Sequence, residues 1–157
     1  MKCYAEINCD NVQQISKEIY DFLNSNTTLI LDPIIGWNFI DCKALLLSCP
    51  HLLEFFTNLK LKPRHAAITI LTENGQLPMH TDEPPVIAKL NFPVINTQGW
   101  VNRWYQDNTV IDEIQDLDQP IIFNSQIPHS VDKLDADTVP RIIASFTFFN
   151  EPLKWLQ

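Results

Sequence analysis

The sequence predicts an α+β protein, mainly β: a jelly roll of eight short strands with N-terminal helices bracing one of its sheets. Three observations carry that prediction. From residue 64 onward strand-like runs follow one another at 65–72, 77–82, 86–94, 99–105, 109–114, 120–124, 128–132 and 140–149, separated by turns. Before residue 60 the apolar residues recur at helical spacing instead. Eleven prolines against three glycines describe turns and strand edges rather than flexible linkers. Eight antiparallel strands close most readily into a jelly roll or barrel, with the helices outside one sheet and the other sheet facing a cavity. At 157 residues the chain reads as one domain with a sizeable core. Residues 1–62 are its helical support and 63–150 the jelly-roll core.

In chain order, residues 2–8 are a candidate short strand. Asp10 is a candidate N-cap, and Val12, Ile15, Ile19, Phe22 and Leu23 mark one face of an amphipathic helix over 11–24, which Asn24-Ser25-Asn26 stops. Residues 27–40 are mixed, because Pro33 and Gly36 break any regular element. Trp37 reads as a core or pocket-wall aromatic. Asp41 caps a short helix through Leu47. Pro50 suits the first position of a second helix over 50–59, whose Leu52, Leu53, Phe55, Phe56 and Leu59 give a wide apolar face. His51 and His65 read as surface or capping histidines. Glu73-Asn74-Gly75-Gln76 is a turn that expects Gly75 at positive φ.

Charge and cysteines narrow the function classes. A formal charge of −8 and a pI near 4.8 make the chain a poor sequence-independent binder of nucleic acid or anionic membrane. Lys60, Lys62 and Arg64 form the only basic cluster, and they read as a solvated turn. Cys3, Cys9, Cys42 and Cys49 lack the close pairing of a zinc site. Glu6 and Asp10 interrupt any leader-like start, and no stretch approaches a membrane span. The expectation is reduced thiols in a cytoplasmic compartment.

The chemistry-bearing stretch is Leu77-Pro78-Met79-His80-Thr81-Asp82. On an extended backbone side chains alternate, so His80 and Asp82 point to one face. Pro78 before His80 and Pro128 before His129 favour extended backbone at both histidines. With His129 they make two imidazoles and a carboxylate, a set that leaves coordination positions open and suits a non-haem Fe(II). Arg141, twelve residues past His129, is a guanidinium able to clamp a dicarboxylate co-substrate in bidentate fashion.

These residues resemble the Fe(II)/2-oxoglutarate-dependent dioxygenases, and most closely the aspartyl/asparaginyl β-hydroxylase-type branch. The resemblance spans roughly 64–149. It is carried by Gly75-Gln76-Leu77-Pro78-Met79-His80-Thr81-Asp82, Lys89-Leu90-Asn91-Phe92-Pro93-Val94, Pro120-Ile121-Ile122-Phe123-Asn124, Pro128-His129-Ser130-Val131 and Pro140-Arg141-Ile142-Ile143-Ala144-Ser145-Phe146. It implies a double-stranded β-helix. It implies iron held by His80, Asp82 and His129, and 2-oxoglutarate held at its distal carboxylate by Arg141. Lys89 and Asn91 stand where relatives carry Arg and His facing the co-substrate. Thr69 stands where that branch has a hydroxyl contacting 2-oxoglutarate, and Trp37 is a candidate wall of the same pocket. Ser145 shares the face of Arg141, although the family's usual serine lies nearer the arginine. Asp82, absent from halogenating relatives, argues for hydroxylation.

The implied reaction consumes molecular oxygen and 2-oxoglutarate, releases succinate and CO2, and hydroxylates a small molecule or a protein side chain. Glu83-Pro84-Pro85, Trp100, Trp104 and Tyr105 are candidate substrate flanks, and Arg103 is a candidate partner for an anionic group. Two other readings stand beside it. One is a cupin-like metal enzyme without 2-oxoglutarate, which has no need of Arg141. The other is a non-catalytic jelly-roll binding module, which holds no iron.

Overall fold

The computed structural model describes residues 2–26, 37–137, 139–149, 154 and 156. In order these form β1 (Tyr4–Glu6), α1 (Val12–Ser25), β2 (Asn38–Ile40), α2 (Cys42–Ser48), α3 (Pro50–Leu59), β3 (His65–Leu71), β4 (Leu77–His80), β5 (Ala88–Ile95), β6 (Trp100–Gln106), β7 (Thr109–Gln115), β8 (Ile121–Asn124), β9 (His129–Lys133) and β10 (Arg141–Phe148). All eight predicted runs are strands. The strands make two antiparallel sheets, one ordered β1-β8-β5-β10-β3-β2 and one ordered β4-β9-β6-β7. The fold is a jelly roll.

The strand β10 explains how the layers are arranged. Ile142, Ala144, Phe146 and Phe148 point to one side, into a core shared with Ile15 and Ile19 of α1 and with Leu52, Phe55 and Phe56 of α3. Arg141, Ile143 and Ser145 point to the other side, between the sheets. The helices therefore cover the outer face of the larger sheet, as the sequence predicts, while both sheets line the inner cavity. Phe56 locks the helical layer to β10: its ring lies 4.8 Å from that of Phe146 and 5.4 Å from that of Phe55. Phe56→Ala is expected to cost about 3–5 kcal/mol, read as a lower denaturant midpoint, because the closely packed ring leaves a cavity.

Three local expectations need correction. The cap of α1 is Asn11 rather than Asp10, and its side chain makes no capping bond. Asp10 instead accepts from the Asn8 amide at 3.2 Å. Residues 38–40, read as irregular, are the edge strand β2, recruited by antiparallel pairing with Ala66–Ile68; Pro33 and Gly36 lie outside the described residues. Gly75 is not at positive φ; it is needed because a Cβ there would lie 2.8 Å from the Thr72 backbone nitrogen. The glycine in the left-handed region is Gly99, at φ 76°. Asp41 does cap α2, accepting from the Ala44 N–H at 3.0 Å, and Pro50 opens α3 as predicted. The four cysteines are free thiols.

Candidate metal and co-substrate site

The antiparallel pairing of β4 with β9 sets His80 directly opposite His129. Cross-strand neighbours on one face sit within side-chain reach, and the two imidazole centroids are 4.4 Å apart. Asp82 follows two residues after His80, in the loop between β4 and β5. Its backbone N–H donates to the Ser125 carbonyl at 3.0 Å, and the Gln126 side-chain amide donates to the Asp82 carbonyl at 2.8 Å and to the Val86 carbonyl at 2.7 Å. One ligand atom from each of His80, Asp82 and His129 lies within 4.8 Å of the others.

Their hydrogen bonding fits a divalent metal. His80 Nδ1 lies 2.8 Å from the Pro78 carbonyl, and His129 Nδ1 lies 2.9 Å from the Ile127 carbonyl. A carbonyl only accepts, so each Nδ1 carries the proton and each Nε2 keeps a free lone pair. Asp82 Oδ2 is buried without a partner. The Trp37 ring meets His80 edge-on at 5.2 Å and Phe123 meets His129 edge-on at 5.1 Å, so both imidazoles are held in place.

Burial pushes the His129 imidazole down from 6.5 to about 4; the His80 ring adds to this, and the Ile127 carbonyl and Asp82 oppose it. The native pKa lies below the unfolded one, so the unfolded chain binds the extra proton between those values. Stability contributed by neutral His129 is therefore present above pH 6.5 and lost as pH falls toward 4. We expect metal-free protein to lose on the order of 3 kcal/mol across that window, and the His129→Gln variant to lose much less, in denaturant titrations at pH 7 and pH 4.

A cavity of about 30 Å³ adjoins the cluster between the two sheets. Trp37, Thr69, Lys89, Asn91 and Arg141 all line it, together with His80 and His129. The candidate metal and co-substrate residues thus come to adjoining places, with Asp82 on the wall of the outer groove. Arg141 opens β10 and is 1% exposed. Its Nη2 donates to Asn102 Oδ1 at a long 3.4 Å, its Nε has no partner, and its guanidinium carbon lies 5.8 Å from the Trp100 ring centre. No carboxylate pairs with it among the described residues. Burial pushes its pKa down to about 9, which leaves it cationic at neutral pH. Thr69 shares its face, opposite Ile143 in the β3–β10 register. Ser145 donates to Asn91 Oδ1 at 2.7 Å. Lys89 also reaches Asp82, with Nζ 2.6 Å from its Oδ1.

Two positions escaped the sequence reading. Asn102 is 4% exposed, faces the cavity between Trp100 and Trp104, and keeps an unpartnered side-chain N–H2. A polar residue between two inward aromatics on an alternating strand was its signal. Gln126, which fastens the Asp82 loop, had none. Among the candidate substrate flanks, Trp100 and Trp104 are each 1% exposed and belong to the interior. Arg103 is already paired with Glu113 and Asp132. Glu83 does line the outer groove, which has a volume of about 470 Å³ and walls that include Trp37, Phe39 and Val86. His51 bonds Glu18 through both its backbone and its ring.

In fold the chain is similar to solved 2-oxoglutarate/Fe(II) oxygenases and hydroxylases. A prolyl-4-hydroxylase from Pseudomonas putida matches 96% of this chain and 94% of its own, at 13% identity and a TM-score of 0.58. A prolyl hydroxylase from Trichoplax adhaerens, solved with a hypoxia inducible factor peptide fragment, matches 95% and 84%, at 12% identity and 0.65. HygX from Streptomyces hygroscopicus, solved with nickel and 2-oxoglutarate bound, matches 96% and 84%, at 10% identity and 0.59. No family model and no curated protein sequence matches the chain. Among the described residues, no helix is long and apolar enough to cross a membrane.

Proposed function

We propose that the chain is a non-haem Fe(II)- and 2-oxoglutarate-dependent oxygenase that hydroxylates a small molecule or a protein side chain. The observation that carries this is Arg141: a buried, uncompensated guanidinium in the same cavity as a His-Asp-His cluster. A buried cation without a counter-ion is costly. A bound dicarboxylate removes that cost, because its far carboxylate pairs with Arg141 while its keto-acid end meets the metal.

His80 and His129 present their Nε2 lone pairs, and Asp82 presents one carboxylate oxygen. Thr69 and Asn91 flank the co-substrate. Trp37, Trp104 and Phe123 wall the cavity against water. When bound, iron and 2-oxoglutarate supply the oxidising chemistry, in which molecular oxygen is split between succinate, formed with release of CO2, and the hydroxylated product. The outer groove beside Asp82 receives the substrate, and its apolar walls and the charge of −8 favour a small molecule or side chain over nucleic acid. The finer placement in the aspartyl/asparaginyl β-hydroxylase-type branch rests on the motif segments alone. The cytoplasmic location rests on the sequence.

The test is an anaerobic titration of metal-free protein with Fe(II) and 2-oxoglutarate, followed by visible absorption. A charge-transfer band that requires both additions supports the reading. Iron bound without a band favours a metal enzyme that does not use 2-oxoglutarate. No iron bound favours the binding module.

A further inference from the structure

We propose that Lys89 is a positioning residue for the metal-binding carboxylate: its ammonium holds Asp82 Oδ1, so that Asp82 coordinates through Oδ2 alone. The proposal rests on the oxygenase reading of the site and concerns a residue that reading leaves without a defined task.

The argument starts from freedom. Asp82 lies past the end of β4, and a loop carboxylate can rotate to offer either oxygen or both. Lys89 removes that choice. It sits on β5, opposite Phe123 and Thr147, and points into the cavity with its side chain 11% exposed. Its Nζ lies 2.6 Å from Asp82 Oδ1 and 5.8 Å from the Trp37 ring centre. Trp37 in turn meets the His80 ring edge-on. Lys89 therefore braces one ligand directly and a second through the indole. What remains of Asp82 is Oδ2, buried and without a partner. A buried carboxylate oxygen left unpaired is costly unless something else binds it. A two-point carboxylate would take a coordination position that the co-substrate or oxygen needs; a one-point carboxylate leaves it open.

The ammonium also repels a dication, so two effects of opposite sign compete. If anchoring dominates, removing Lys89 weakens metal binding. If Lys89 is only a counter-charge for empty Asp82, removing it strengthens binding. The geometry favours anchoring, because the ammonium occupies Oδ1 and leaves Oδ2 buried without a partner.

The experiment is Co(II) binding to the full chain without turnover, by calorimetry and by the visible d–d spectrum of the bound ion. Lys89→Met is expected to weaken Co(II) binding by about 10- to 100-fold, the usual cost of losing a ligand's hydrogen-bond partner, and to change the d–d spectrum. Lys89→Arg, which keeps a charged donor, restores most of the affinity. Lys89→Gln, which keeps a neutral donor, falls between and carries the test if Lys89→Met does not fold. Binding to Lys89→Met or Lys89→Gln as tight as to the unaltered protein, or tighter, overturns the proposal alone. No Co(II) binding by the unaltered protein, or binding that survives His129→Ala, overturns the site and the proposal together.

Discussion

Loss of the His129 imidazole is expected to abolish metal binding and turnover together. His129→Ala leaves the cluster with one imidazole and one carboxylate, too few ligands to hold a divalent ion from an N/O donor set at ordinary concentrations. We expect succinate release to fall by about 10³-fold or more, well beyond the roughly 10- to 100-fold that loss of an outer hydrogen-bond partner costs. The change also empties a closely packed position, since His129 is 7% exposed and touches both His80 and Phe123. His129→Gln, which fills more of that space, separates the two effects: it is expected to fold more stably than the alanine variant and to be as inactive. Turnover that persists in both variants removes His129 from the site.

Arg141→Met is expected to move ligand affinity and stability in opposite directions. A charge-assisted pair in a dry cavity is worth about 3 kcal/mol, so the dissociation constant for 2-oxoglutarate rises by about 100-fold, with Co(II) affinity in the absence of co-substrate nearly unchanged. The metal-free, ligand-free protein gains stability, by about 1–3 kcal/mol, because methionine removes a buried cation that has no carboxylate partner among the described residues. A purely structural arginine gives the reverse: lower stability and unaltered co-substrate binding. Calorimetry with 2-oxoglutarate and a denaturant titration decide between them.

The site was legible in the sequence because most of its residues lie on strands. Period-two alternation is enough to place His80 with Asp82, Lys89 with Asn91, and Arg141 with Ser145 on common faces, and the structure brings five of them to one cavity and Asp82 to the groove beside it. Alternation says nothing about what a side chain does on arrival. Lys89 and Asn91 share a face, yet one bonds Asp82 and the other accepts from Ser145. Arg103 and Trp104 adjoin in sequence, yet the first makes ion pairs and the second is buried against Tyr4 and Phe123. The helices were read from apolar spacing, and Pro50 and Asp41 marked two of their starts correctly. The strand β2 was not readable, because three residues carry no periodicity and their conformation comes from the neighbouring β3. Gly75 misled because glycine is kept there for clearance, which no local pattern distinguishes from a positive φ.

The two kinds of site residue stand on different layers. His80 and His129 belong to the four-stranded sheet, whereas Thr69, Lys89, Asn91 and Arg141 belong to the six-stranded one. A co-substrate held by metal at one end and by arginine at the other is then a removable crosslink between layers. The strand with most to gain is β4, which has four residues, lies at a sheet edge and pairs with β9 through an irregular register. Its backbone amides should exchange with solvent readily in the empty protein and become among the most slowed when the crosslink is in place. Occupancy would thus be written into the hydrogen-exchange pattern of a strand edge.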